Sequence, residues 1–327
     1  MLKPLRPVAF GSACLLAIAV AAAASAQAQP YPSNTIRIVA PTGPGSPPDV
    51  LGRIIATELS TSEGWRVVVE NRPGAIQTIG VTDVLTQPAD GHSILAMTIP
   101  MLAAQALLPK LGLRLETDLA PVIRISTGYN VLVVHPSVPA KSVSELIAVL
   151  KKEPGKYNFA SGGVGNPAHL IGEMFLLRTG TRATHVPYPQ GQQFTADLLS
   201  GTTQFSFITS VRVVDLVAAG KLRALAVMGP ERVAALKDVP TIVEAGFPDL
   251  AVEDWAGFAT KTGTPNQVVA RLNDVMNRAI TKQHVREAFM RVGHEPVGGS
   301  SAKFGTLINS EIARWKKVIQ EAEIKAD

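Results

Sequence analysis

The chain has 327 residues, of which 46% are hydrophobic and 17% are charged. This composition is typical of a globular protein and excludes a largely disordered one. The formal net charge of +5 comes without a long basic run, so we expect no nucleic acid partner.

The first 28 residues have the features of a secretory signal peptide. Lys3 and Arg6 precede an apolar run over 8–24, and an A-x-A cleavage pattern follows at 26–28. We therefore predict that 1–28 is cleaved and that the mature protein is periplasmic. Cys14 is the single cysteine and falls in this segment. The mature chain therefore has no disulfide, thiolate metal site or cysteine nucleophile.

Strand and helix patterns alternate along the rest of the chain. Runs such as TIRIVA (35–40) and VLVVHP (131–136) are β-rich, and each precedes a segment with apolar residues at helical spacing. Ser142 and Glu145 form a capping-box pattern, and AIQTIGVTDVLTQP (75–88) is interpreted as a helix. The last helix carries one apolar stripe, made by Phe304, Leu307, Ile308, Trp315 and Ile319. The alternation predicts an α/β protein.

The first of two glycine-rich loops is VAPTGPGSPPDVLGRII (39–55). It runs from a strand into a helix, with Ser46 and Asp49 in capping-box register and Pro47 at the first helical position. We expect the Asp49 carboxylate to accept a hydrogen bond from the Ser46 N–H. A direct ligand contact is the alternative role for this carboxylate.

The second glycine-rich loop lies in FASGGVGNPAHLIGEMF (159–175). Gly163, Gly165 and Ala168 fit the G-x-G-x-x-A spacing of dinucleotide sites, but no acidic residue follows about 20 positions later to bind a ribose. Asn166 and Pro167 predict a helix start, and a helix N-terminus attracts a carboxylate as well as a phosphate. A simple connecting turn is the alternative. Two such loops, one in each half of the chain, favour two lobes that close on one small anion.

Patterns of catalysis are missing from the sequence. No serine of the mature chain has glycine at both i−2 and i+2, and the six histidines never fall at i, i+3 or i, i+4. The carboxylates are scattered, without an evident acid/base pair. We therefore expect a protein that is not an enzyme and that has no cofactor and no metal.

The chain closely resembles the Bug family, the periplasmic solute receptors of tripartite tricarboxylate transporters. Matching stretches cover essentially the whole mature chain in family order. They include ENRPG (70–74), PGKYNFASGGVGNPAHLIGEMF (154–175), DVPTIVEAG (238–246) and WAGFATKTGTP (255–265).

The resemblance implies a periplasmic binding protein type II-like fold, in which two α/β domains enclose a ligand cleft. Domain 1 would comprise 30–128 plus 252–327, and domain 2 would comprise 129–251. The two crossover hinges would lie near RISTGYN (124–130) and DWAGF (254–258). The implied function is capture of a small carboxylate by domain closure and its delivery, by a monomer, to membrane permease subunits. A periplasmic sensor that feeds a two-component system is the alternative, followed by an envelope hydrolase or lyase.

The family's ligand-binding positions carry over to both glycine loops, to the VPY turn and to two strand ends. The implied ligand-binding residues are Thr42, Gly43, Pro44, Gly45, Ser46, Asp49, Thr98, Ile99, Ser161, Gly162, Gly163, Asn166, His169, Pro187, Tyr188, Ile208 and Thr209. The family often has an aspartate where this chain has Ile208. Because that acid is missing here, a ligand with an amine is disfavoured. The apolar stretch 96–105 indicates an organic acid with an apolar or aromatic body, or else ordinary core packing.

Overall fold

Strands and helices alternate throughout the computed structural model, which describes residues 31–188 and 193–326. The predicted signal peptide, 1–28, lies outside the described residues. The elements up to the second glycine loop are β1 (Ile36–Ala40), α1 (Pro47–Ser62), β2 (Val67–Asn71), α2 (Thr78–Thr86), β3 (Ser93–Met97), α3 (Ile99–Leu107), α4 (Leu115–Asp118), β4 (Leu119–Gly128), β5 (Asn130–Val134), α5 (Val143–Lys152) and β6 (Asn158–Ser161). After the loop come α6 (Pro167–Thr179), β7 (Thr184–Pro187), α7 (Gln193–Leu199), β8 (Phe205–Thr209), α8 (Ser210–Ala218), β9 (Arg223–Val227), β10 (Asp254–Lys261), α9 (Asn266–Thr281), α10 (Gln283–Arg291), β11 (His294–Pro296) and α11 (Ser301–Glu321).

The strands form two mixed sheets. The first has the order β11-β4-β10-β3-β1-β2 and the second the order β7-β6-β8-β5-β9. Strand β1 is parallel to β2 and β3, whereas β10 is antiparallel to β3 and β4. In the second sheet, β6 is parallel to β7 and β8, and β5 is antiparallel to β8 and β9. This architecture confirms the predicted α/β fold.

The chain passes from the first sheet to the second at Tyr129 and returns before β10. The residues from Thr35 onward form one compact unit. The domain limits 30–128 plus 252–327 and 129–251 therefore stay a prediction. Within the described residues, no helix combines the length and the apolar character needed to cross a bilayer.

Apolar patterning explains where the core lies. Strands β3 and β5 are buried along their whole length, which is why SILAM and NVLVV read as nearly continuous apolar runs. Helix α6 packs against β6 at Gly172, where a Cβ would lie 2.4 Å from Cε2 of Phe159. Of the predicted stripe on α11, Leu307 is partly buried and the rest is buried: Phe304, Ile308, Trp315 and Ile319.

Two predicted elements are wrong in detail. The helix expected over 75–88 begins only at Thr78, because Ala75, Ile76 and Gln77 all have positive φ values of 46–73°. The run GHSILAMTI (91–99) predicts a strand over its whole length, but the strand covers only Ser93–Met97, and Ile99 begins α3. Thr98 has an extended backbone, and a proline stands in the first turn of α3. This arrangement is a typical helix start.

Candidate functional site

The first glycine loop is tied to its own helix. The hydroxyl oxygens of Thr42 and Ser46 lie 2.5 Å apart, and the Ser46 hydroxyl donates to the Gly43 carbonyl at 2.7 Å. Ser46 occupies the N-cap position of α1, but its side chain accepts no capping hydrogen bond. Pro44 and Gly45 are exposed between these residues.

Asp49 holds this loop in place through three hydrogen bonds. Its carboxylate, 2% exposed, accepts from the Gly45 N–H at 2.9 Å, Arg53 Nε at 3.0 Å and Asn71 Nδ2 at 2.9 Å. Burial by itself raises the pKa of this carboxyl, but the three donors lower the pKa overall. The predicted bond from the Ser46 N–H is wrong. That N–H turns back to the Gly43 carbonyl, so the carboxylate takes the Gly45 N–H instead.

The second glycine loop begins α6 as predicted. The Asn166 carboxamide oxygen accepts from the Ala168 N–H at 2.9 Å, and Pro167 is the first helical residue. Gly163 and Gly165 have φ values of +113° and +74°, which non-glycine residues rarely adopt. The Ser161 hydroxyl accepts from the Gly163 N–H at 3.1 Å.

A stacked pair of histidines supports this loop from behind. The His169 and His185 rings have centroids 3.9 Å apart, and His169 Nδ1 accepts from the Gly165 N–H at 3.1 Å. His185 Nε2 lies 2.7 Å from the Ser161 hydroxyl. Burial lowers the pKa of His169 to about 4, and burial together with repulsion from His169 lowers the pKa of His185 to about 3. Both imidazoles are therefore neutral at neutral pH.

A cavity of about 180 Å³ lies where α6 and α8 begin. Its lining brings together four of the predicted residues: Gly162, Asn166, Ile208 and Thr209. The other lining residues are Asn130, Pro167, Ala168, Phe194, Phe207, Arg212 and Asp254. Two helix N-termini meet at this cavity, and each carries a partial positive charge.

The other predicted residues do not line this cavity. They are Thr42, Gly43, Pro44, Gly45, Ser46, Asp49, Thr98, Ile99, Ser161, Gly163, His169, Pro187 and Tyr188. Thr98 donates its hydroxyl to Gln77 Oε1 at 2.8 Å, and Ile99 is completely buried. Pro187 is exposed at the end of β7, and the Tyr188 hydroxyl donates to Asp197 at 2.6 Å.

Sequence reasoning missed three polar side chains of the cavity. Asn130 is 3% exposed, and its Nδ2 has no hydrogen-bond partner in the described part of the chain. The Arg212 guanidinium is exposed and lies 5.4 Å from the centre of the Phe194 ring. Burial raises the pKa of the Asp254 carboxyl to about 6. Asn130 and Asp254 stand in the two stretches that the family resemblance identified as hinges, which is the signal that could have revealed them.

In two larger cavities, polar side chains do not converge with two helix N-termini. One of about 690 Å³ has mainly apolar walls, including Ile79, Leu107 and Leu111. The other, about 350 Å³, lies between α3 and α11. Ligand sites combine apolar walls with a few convergent polar groups, so the 180 Å³ cavity is the stronger candidate despite its size. Within 31–188 and 193–326, no cluster of three or more His, Cys, Asp or Glu could hold a metal ion.

The chain is similar to proteins of one family over most of its length. Residues 51–324 match the model described as "Tripartite tricarboxylate transporter family receptor". Protein BugT of Bordetella pertussis is 33% identical over 297 residues, which cover 90% of this chain and 91% of BugT.

Solved structures with the same fold contain carboxylates. Rpa4515 of R. palustris, solved with adipate, is 32% identical with a TM-score of 0.78, and the match covers 90% of this chain and 99% of that one. MatC from Rhodopseudomonas palustris, solved with bound malate, is 28% identical with a TM-score of 0.76. That match covers 88% of this chain and 100% of MatC.

Proposed function

Because this chain belongs to the family of tripartite tricarboxylate transporter receptors, we propose that it captures a small carboxylate in the periplasm and delivers it to the membrane permease subunits of such a transporter. Membership of a family of solute-binding receptors confirms the expectation that the chain is not an enzyme. Export after cleavage of 1–28 and action as a monomer belong to the same proposal.

The observation that carries this proposal is the cavity at the N-termini of α6 and α8. The amide of Asn130, whose Nδ2 is buried without a partner in the described part of the chain, and the guanidinium of Arg212 belong to residues that line it. A carboxylate would accept hydrogen bonds from both groups, and a hydrogen bond to a charged group contributes about 1.5–3 kcal/mol. Each helix N-terminus adds about 0.3–1 kcal/mol for an anion. Adipate and malate in the related structures are carboxylates too.

The walls of the cavity indicate the size and character of the ligand's body. Phe194, Phe207 and Ile208 give it an apolar side. Its volume of about 180 Å³ lies below the roughly 300–1,000 Å³ of pockets for drug-sized ligands. We infer a small organic acid whose hydrocarbon body lies against these three side chains.

Capture would proceed by closure of the two lobes around the ligand. Gly165 of the second glycine loop already packs against Ile76 and Leu107, which flank the first sheet, and a Cβ at Gly165 would lie 2.8 Å from Ile76 Cγ2. A ligand that contacts both lobes stabilises the form in which these surfaces meet, in proportion to those contacts. The closed form would then dock on the permease.

Calorimetric titration with a panel of carboxylic acids tests the binding step. We expect Arg212→Gln to weaken the best acid about tenfold or more, because a charge-assisted hydrogen bond is lost. Arg286→Gln is the matched control, since Arg286 is exposed on α10 and does not line the cavity. Absence of binding by every acid in the panel would refute the proposed function.

Delivery and closure need separate measurements. Vesicles that contain the two membrane subunits should take up the bound acid only when the protein is added. Small-angle scattering should show a smaller radius of gyration when the acid is present. Uptake that is independent of the protein would contradict delivery, and an unchanged radius would contradict closure.

A further inference from the structure

The candidate cavity contains an acid that has no cationic partner. Asp254 is the first residue of β10, and its carboxylate accepts a hydrogen bond from the Trp255 N–H. Among the residues that the structure describes, no Lys, Arg or His nitrogen lies within the 4.0 Å ion-pair distance of this carboxylate. A negative charge in a partly enclosed site is costly unless it is paired.

The guanidinium of Arg212 belongs to the same cavity lining and forms no ion pair with Asp254. Arg212 lies on α8, and its described contacts are the Phe194 ring at 5.4 Å and the Thr195 hydroxyl at 3.5 Å. The acid and the guanidinium therefore line one cavity without neutralising each other. A bound molecule with both charge signs would pair with both groups.

Several groups that line the cavity suit an anion. Asn130 Nδ2 is buried without a partner in the described ranges, and an unsatisfied buried donor costs about 1–3 kcal/mol. Asn130 and the start of α6 line the cavity together with Arg212, and all of them favour negative charge. Asp254 is the one lining residue that favours positive charge.

We propose that this cavity binds a small zwitterion, with its carboxylate at Asn130, Arg212 and the N-terminus of α6 and its ammonium group at Asp254. This inference rests on the proposed function and narrows its ligand class to amino-substituted acids. Burial of Asp254 favours a ligand cation further, because an ammonium group would stabilise the ionised carboxylate. From the sequence, such ligands are disfavoured because position 208 is an isoleucine where the family often has an aspartate. In the structure, Asp254 supplies an acid to the same cavity from another strand.

The test uses pairs of acids that differ only by an amine next to the carboxylate. Suitable pairs are succinate and aspartate, glutarate and glutamate, adipate and 2-aminoadipate, 4-methylpentanoate and leucine, and 3-phenylpropionate and phenylalanine. Titration calorimetry on the full mature protein gives the affinity ratio within each pair. We expect the tightest pair to favour the amino acid about 10- to 100-fold, the range for one charge-assisted hydrogen bond.

A variant then assigns the preference to Asp254. Asp254→Asn keeps the side-chain shape without the charge, and we expect the ratio to fall to about one. Asp215→Asn is the matched control, because Asp215 is exposed on α8 and does not line the cavity. Circular dichroism checks the fold of each variant, and Asp254→Ser replaces Asp254→Asn if the latter does not fold.

The possible results separate this inference from the proposed function. If acids bind and the amine-free partner is at least as tight in every pair, the inference fails and the carboxylate receptor stands. A preference for amino acids that persists in Asp254→Asn would overturn the role of Asp254. If no acid binds, both the proposed function and the inference fail.

Discussion

Acidification should weaken the fold through His169, the buried histidine behind the second glycine loop. Its Nδ1 accepts from the Gly165 N–H at 3.1 Å, and the side chain is 5% exposed. A proton on Nδ1 would face this N–H donor in a buried site. Burial accordingly lowers the pKa of His169 to about 4.

The sign and size of the effect follow from proton linkage. In the unfolded chain His169 has a pKa of about 6.5, so the unfolded state binds the proton first as the pH falls. The stability that the neutral His169 imidazole contributes is fully present above about pH 6.5 and is lost as the pH falls toward 4. At pH 5, about 1.5 units below the unfolded value, His169 lowers the free energy of unfolding by about 2 kcal/mol, at about 1.36 kcal/mol per unit. His185, with a pKa near 3, adds about as much.

Urea denaturation at pH 8 and pH 5 measures this loss. In His169→Asn, the amide oxygen takes the position of Nδ1 and does not titrate, so it can accept the same Gly165 N–H. We expect the variant to lose about 2 kcal/mol less than the wild type between the two pH values. Comparison of the two proteins at pH 8, where the imidazole is neutral, corrects for other effects of the substitution. Equal losses in both proteins would refute the reasoning.

Three further predictions concern stability and can be measured by urea denaturation. Gly165→Ala should lower the free energy of unfolding by about 2–4 kcal/mol, because residue 165 has a positive φ and its new Cβ would meet Ile76. Gly155 also has a positive φ, +78°, but open space around it, so Gly155→Ala should lose only the part that comes from φ. Equal losses in the two variants would exclude the Ile76 contact as a cause. Asn166→Ala should lower the free energy of unfolding by about 1 kcal/mol, because the N-cap hydrogen bond to the Ala168 N–H is lost. An unchanged stability would contradict the capping role. Because the pKa of Asp254 is raised from 3.8 to about 6, its ionisation lowers the stability as the pH rises between these two values, and the full cost applies above pH 6. Asp254→Asn should therefore raise the free energy of unfolding by up to about 3 kcal/mol at pH 8 and by much less at pH 4. A stabilisation that is independent of pH would exclude ionisation of Asp254 as its cause.

Local sequence determined several helix ends and the composition of the core. Asn166 and Pro167 start α6 as predicted, and Gly180 ends it with a left-handed backbone, because caps involve groups only a few positions apart. Ser142 caps α5 as predicted, although the Glu145 carboxylate takes the Lys141 N–H instead of the Ser142 N–H. The resemblance to a receptor family likewise came from contiguous stretches of sequence, and the family match confirms it.

Which side chains share the candidate cavity depends on contacts between residues far apart in the sequence. Asn130, Arg212 and Asp254 come from β5, α8 and β10, and the two strands belong to different sheets. Likewise, no local pattern predicts the left-handed backbone of Ile76, which lies against Gly165. Spacing along the chain shows which face of an element is apolar, whereas the neighbours of a polar side chain depend on strand order and on where the chain crosses between sheets.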